Sequence, residues 1–238
     1  MKRKQVILLG KGDLAIKIGE WFLASRDYIL LAVVPTMPAP SWTSSLPDWA
    51  RSRRIPVVES GDYRDLPMLQ HPDWRPDLAF SVFYDRIIRG DFIDRCDRIL
   101  NLHLAPLPRY RGMSPINWAL KQGEQYHGVT IHEIVEKVDA GPIISQVTFS
   151  IYPDIDEVAD VYRRSLLFGW NLFTETIPRL DRITPRVQDE RCAVYYNRGQ
   201  NTELGDRRFF TRSESSLRSE TAVNGKHDPL PVIGAHTT

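Results

Sequence analysis

Short, nearly unbroken apolar runs recur along the chain, each closed by glycine, proline or an acidic turn. Residues 5–10, 28–34 and 78–83 have too few polar positions for strands with one wet face. Continuous runs of this length suit parallel strands covered on both sides. Between them the spacing turns helical. Leu14, Ile16, Ile18, Trp21 and Phe22 predict a helix with Asp13 as its cap. A helix is predicted over 49–54, after a proline- and serine-rich loop at 35–47 that carries Trp42. Another is predicted over 114–120, with Ser114 as N-cap, Pro115 first and Gly123 as its stop. Val158, Val161, Tyr162, Leu166 and Phe173 predict a long helix ending at Pro178. Residues 128–136 and 141–150 read as strands bracketing Asp139, and 191–196 as one more strand, in a hairpin. Alternating strands and helices indicate an α/β fold with a doubly wound, Rossmann-like, mostly parallel sheet. Residues 1–180 form the main domain and 181–238 a short C-terminal extension, loosely ordered from about Thr211.

Composition narrows the class. The 238 residues are 42% hydrophobic and 26% charged, ordinary for a soluble domain. A net charge of +1 gives no electrostatic case for a nucleic-acid partner. Cys96 and Cys192 are the two cysteines, and neither has a metal-ligand spacing, so no metal is expected. The apolar run after the basic N-terminus is too short for a signal sequence or membrane span. A cytoplasmic protein follows as the expectation.

Candidate chemistry sits at the end of one strand. Residues 99–104 run Ile-Leu-Asn-Leu-His-Leu and break into Pro106 and Pro108. This delivers Asn101 and His103 to the carboxyl edge of a sheet, where ligands bind in open α/β folds. Asp139 stands before a turn at Ala140-Gly-Pro. A histidine does proton work near neutral pH, an amide donates hydrogen bonds without titrating, and a carboxylate orients the imidazole. Singly, each has a structural explanation as a packed histidine or a turn former. His132, mid-strand, reads as packing or surface, and His71, His127, His227 and His236 suggest no role. Gly10-x-Gly12 lacks the third glycine of a dinucleotide fingerprint, and a tight strand-to-helix turn is the simpler account.

Together these residues resemble a family. Asn101-x-His103, Leu107-Pro-x-Tyr-Arg-Gly112, Gly128-Val-Thr-x-His132 and Asp139-x-Gly-x-Ile143 are similar to formyltransferases that use N10-formyltetrahydrofolate. The resemblance is strong from about Phe80 to Gln146. It implies Asn101, His103 and Asp139 as catalytic residues, with Asn101 as oxyanion donor, His103 as base and acid, and Asp139 as orienting carboxylate. It places the folate against Arg86, Ile87 and Ile88 and against Val135, Glu136, Lys137, Val138 and Asp139. It suggests Lys11, Tyr110 and Arg111 as substrate contacts. Relatives often have an arginine where Met113 stands, and serine or glycine where Ala105 stands. The pattern is closest to enzymes formylating nucleotide-linked 4-amino sugars (GDP- or dTDP-linked) for surface polysaccharide, and a homodimer is implied. A glycinamide ribonucleotide formyltransferase of purine synthesis and a non-catalytic folate-binding domain are the alternatives. An oxidoreductase is disfavoured by the incomplete glycine pattern and by Val34-Pro35, where an acidic residue is expected.

Overall fold

A computed structural model describes residues 2–204. The elements in order are β1 (Lys4–Gly10), α1 (Gly12–Ala24), β2 (Tyr28–Pro35), α2 (Leu46–Ser52), β3 (Leu78–Val82), α3 (Gly90–Ile93), β4 (Ile99–His103), β5 (Arg111–Gly112), α4 (Pro115–Lys121), β6 (Tyr126–Glu133), β7 (Ile143–Ser150), α5 (Val158–Thr176) and β8 (Tyr195–Tyr196). The main sheet has the order β2-β1-β3-β4-β6-β7. Strands β2, β1, β3 and β4 are mutually parallel, and β6 and β7 continue the sheet antiparallel.

The apolar strands alternate between two cores, as the two-sided covering requires. Val6, Leu8, Phe80 and Leu102 face α1 and α5, where Phe22 meets Phe173 at 5.5 Å and Phe80 meets Phe173 at 5.1 Å, both edge-on. Ile7, Leu9, Ala32 and Val34 face the opposite layer, built from Tyr63, Leu66, Ile88 and Phe92. Strand order reverses between β1 and β3, which puts the crevice of the fold at their carboxyl ends. Gly10 sits there at φ +143°, and a Cβ on it would lie 1.9 Å from the Val82 carbonyl oxygen. Only glycine lets the two strands leave the sheet so close together.

Several local expectations need correction. Helix α1 begins at Gly12 with Lys11 in the cap position, and Asp13 lies in the first turn instead of capping it. Its carboxylate there faces the positive end of the helix dipole. Helix α2 starts at Leu46, earlier than expected, because the Ser45 hydroxyl accepts the Asp48 N–H at 3.3 Å and Pro47 sits in the first turn. Ser114 precedes α4 as expected but does not cap it: its φ is +54° and its hydroxyl accepts from Asn201 at 3.0 Å. The acid cap of α5 is Glu157, in a reciprocal pair with Asp160. Residues 191–196 form no hairpin; β8 pairs parallel with β5, with Arg111 opposite Tyr195 and Gly112 opposite Tyr196. The tail from Thr211 lies outside the described residues.

Candidate active site

Cross-strand register assembles the site. Asn101 lies opposite His132 and His103 opposite Thr130 on the antiparallel β4–β6 pair, so all four point to one face of the sheet. Thr130 serves the loop beyond β4: its hydroxyl donates to the Ala105 carbonyl at 2.7 Å and accepts the Leu107 N–H at 3.2 Å. The Gln146 amide donates to the Leu107 carbonyl at 2.8 Å. Ala105 is fully buried and makes its contact through the main chain, so a hydroxyl is not needed at that position.

Asp139 completes the cluster from the β6–β7 turn. One carboxylate oxygen, Oδ2, accepts the Gly112 N–H at 2.8 Å and stands 3.6 Å from His103 Nδ1. The other, Oδ1, is 3.4 Å from His132 Nε2 and 3.5 Å from Asn101 Nδ2. The amide, imidazole and carboxylate expected together are thus brought together, and a second imidazole joins them. Burial alone would push the Asp139 carboxyl up, but His103, His132 and the Gly112 N–H outweigh it and hold it well below the usual carboxylate range.

The outer nitrogens of both rings are committed. His103 Nε2 lies 2.9 Å from the Tyr110 carbonyl oxygen and His132 Nδ1 lies 2.8 Å from the Glu133 carbonyl oxygen. A carbonyl only accepts, so each of these nitrogens carries the hydrogen, as the network assigns it. His103 Nδ1 and His132 Nε2 then bear a hydrogen toward Asp139 only when the ring takes up a second proton. The carboxylate therefore stabilises a proton on either ring at a fixed atom, which is the arrangement a proton relay needs. His132 also accepts from Asn101 Nδ2 at 3.2 Å, setting the amide's orientation.

Backbone strain is concentrated here. Phe83, Tyr110, Ser114 and Asp139 all have left-handed φ values, between +50° and +60°. Each costs on the order of 1–3 kcal/mol and persists only where the surroundings enforce it, a pattern typical of functional sites.

A cleft of about 340 Å³ opens at the carboxyl edge, lined by Lys11 after β1, Phe83 after β3 and Leu104 after β4. Trp42 and Tyr162 form an aromatic wall, meeting edge-on at 6.0 Å. Burial pushes the Tyr162 phenol up to about 12, so it stays neutral. Lys11, at the cleft, makes no ion pair with any described residue.

The remaining expected contacts fall differently. The Glu136 carboxylate abuts Gly90, bringing the loops at 86–90 and 135–139 together. The Arg86 guanidinium is turned onto Asp62 at 2.9 Å, Ile88 is buried in the core, Ile87 is exposed, and Lys137 pairs with Glu190 at 2.7 Å. Tyr110 and Arg111 are buried away from the cleft. The Tyr110 hydroxyl donates to Glu124 at 2.5 Å, and the Arg111 guanidinium is held by Gln188 and Glu190. Both side chains are held by protein partners and neither lines that cleft. His132 was read from the sequence as packing or surface, and Gln188 was not singled out. A polar residue inside an apolar strand was the available signal for His132.

Fold and site together define a doubly wound α/β protein with an acid–base cluster at the carboxyl edge of its sheet. Residues 69–177, which contain Asn101, His103 and Asp139, match the family model described as formyl transferase. That segment is similar to the formyl transferase family. It is similar to an N-formyltransferase from Helicobacter canadensis, solved with folinic acid and dTDP-3-aminofucose, at 26% identity and a TM-score of 0.70, over 83% of this chain and 72% of that one. It is similar in fold to WlaRD, a sugar 3N-formyl transferase solved with dTDP and 5-N-formyl-THF, at 24% identity and a TM-score of 0.71, over 84% and 72%. A glycinamide ribonucleotide transformylase from Symbiobacterium toebii shares the fold at 21% identity and a TM-score of 0.61, over 79% and 95%. No group of three His, Cys, Asp or Glu able to hold a metal occurs among the described residues, and no described helix is long and apolar enough to cross a membrane.

Proposed function

We propose that the protein transfers a formyl group from N10-formyltetrahydrofolate to the amino group of a nucleotide-linked amino sugar. The observation that carries this reading is the convergence of Asn101, His103 and His132 on one buried carboxylate, Asp139. When bound, the folate supplies the formyl carbon. The residues of this chain then do three things. Asn101 donates to the carbonyl oxygen as it gains charge, and one such donor is worth about 3–4 kcal/mol of barrier. His103 takes the proton released by the attacking amine and returns one to the departing folate nitrogen. Asp139 holds that proton on the ring between the two steps.

Choice of acceptor rests on the cleft. Its Trp42, Phe83 and Tyr162 rings suit the faces of a sugar and base, and Lys11 beside them suits a diphosphate. The 26%-identical Helicobacter canadensis enzyme, solved with a dTDP-linked 3-amino sugar, supports the same class. A glycinamide ribonucleotide acceptor is the second reading, supported by the shared fold. The folate lies against the loops at 86–88 and 135–139. Cytoplasmic surface-polysaccharide synthesis and a homodimeric state belong to the proposal through the family resemblance. The test incubates protein and N10-formyltetrahydrofolate with dTDP- and GDP-linked 3- and 4-amino sugars and with glycinamide ribonucleotide, reading the formylated product by mass spectrometry. Formylation of a sugar nucleotide supports the proposal; formylation of glycinamide ribonucleotide alone overturns it.

A further inference from the structure

Residues 186–196 lie across the site as a strap. Arg186 exchanges two backbone hydrogen bonds with Ile143, at 2.7 and 2.8 Å. Val194 accepts the Arg111 N–H at 2.8 Å and donates to the Pro108 carbonyl at 3.2 Å. Tyr196 stacks on Trp118 at 4.0 Å. Between these ends sits Gln188, only 5% exposed although the residues on either side of it are open to solvent.

The Gln188 amide is fully used. Its Nε2 donates to the carbonyls of Asp139 at 2.9 Å and Gly141 at 2.6 Å. Its Oε1 accepts from Arg111 Nε at 3.1 Å and Nη2 at 2.8 Å. Arg111 immediately precedes Gly112, whose N–H holds the Asp139 carboxylate at 2.8 Å. The contacts close a ring: the Asp139 side chain on Gly112, its main chain on Gln188, and Gln188 on the residue before Gly112. The turn they fasten has Asp139 at φ +50°, a conformation that an L-residue keeps only when its surroundings over-determine it. Losing the amide leaves two buried carbonyls and a buried guanidinium short of partners, so the turn has reason to move.

We infer that Gln188 is a positioning residue for the Asp139 carboxylate, fastening the turn at 139–141 to the strand that holds that carboxylate. Its kinetic consequence rests on the formyl-transfer reading above; its geometric consequence does not.

Two measurements on Gln188→Met therefore test it. In the transfer assay with N10-formyltetrahydrofolate and a dTDP-linked amino sugar, kcat falls by about tenfold to a hundredfold, as misplacement by about an ångström does elsewhere, while KM for the sugar is little changed. In a carbon-13 NMR titration of aspartate carboxyls, the Asp139 signal moves up toward the ordinary carboxylate range. A purely structural role lowers Tm and leaves both readouts where they were. Unchanged kcat with an unmoved Asp139 titration overturns the inference. If the wild-type protein turns over no acceptor, the functional proposal falls and the Asp139 titration alone decides this one. Should the methionine variant not fold, Gln188→Asn, polar but too short to span both partners, is read by the same criteria.

Discussion

Replacing Asp139 by asparagine isolates the charge from the shape. The two side chains have nearly the same volume. The amide oxygen, placed as Oδ2 is now, still accepts the Gly112 N–H, while its NH2, placed as Oδ1 is now, competes with Asn101 Nδ2 for the one lone pair of His132 Nε2. What disappears is the attraction between the carboxylate and a proton on His103 Nδ1. At 3.6 Å and an effective dielectric near 20, that attraction is about 5 kcal/mol. Proton transfer by a positioned side chain typically contributes about 10²–10⁴-fold, which falls within this limit. Asp139→Asn is therefore predicted to lose about two to four decades of kcat and to unfold below the wild-type temperature at neutral pH, a gap that closes as pH falls. The folded-state pKa of Asp139 is depressed, so the stability it adds is full above the unfolded carboxylate pKa, near 4, and is lost as pH falls below it. The variant should lack this acid-side component in urea titrations. Steady-state transfer rates and urea midpoints from neutral pH to pH 3 check both parts. A variant retaining more than about a third of wild-type kcat would refute the proton-holding role.

Other consequences are independent of turnover. Gly141→Ala would place a Cβ 1.8 Å from the Glu133 carbonyl oxygen, a backbone atom that cannot swing away. A loss of about 1–3 kcal/mol is expected, read as a Tm drop of about 2–4 °C per kcal/mol. An unchanged Tm would mean that the β6–β7 turn is looser than drawn. Burial pushes the Cys96 thiol up to about 12, whereas Cys192 is exposed. A thiol reagent should therefore label Cys192 rapidly in the native protein and Cys96 only after denaturation, as peptide mass mapping can show. His127 is fully buried, and desolvation lowers its pKa to about 4 from 6.5. Between those values the unfolded chain binds the proton that the folded one refuses, so stability falls as pH drops from about 6.5 to about 4. His127→Gln should flatten that slope, and an unaltered slope would assign it to other groups.

How far the sequence reached depended on the range of the interaction. Strands β1 to β4 were legible because burial on both faces leaves an apolar run that nothing else produces. Asn101 and His103 were legible because such a run broke into prolines just past them, and Asp139 because its turn carries Gly141 and Pro142. His132 was not. Its role depends on β6 lying antiparallel to β4 in the register that sets it opposite Asn101, and no local pattern fixes that pairing. The partners of Tyr110 and Arg111 were not legible for the same reason: Glu124 and Gln188 come from other segments. The strap was misread as a hairpin strand because β8 is only two residues long and pairs parallel with β5, a partner that no local pattern names. Its anchoring glutamine is one polar residue in a polar stretch.

The central claim is that Asp139 and the three polar side chains around it form a formyl-transfer site, and one assay bears on it most directly. Purified protein is mixed with N10-formyltetrahydrofolate and dTDP-linked amino sugar, and product is followed by mass spectrometry for wild type and for Asn101→Ala, His103→Ala and Asp139→Ala. The account predicts a formylated sugar nucleotide from the wild type and losses of at least about a hundredfold in each variant. Turnover close to wild type in all three variants would contradict it.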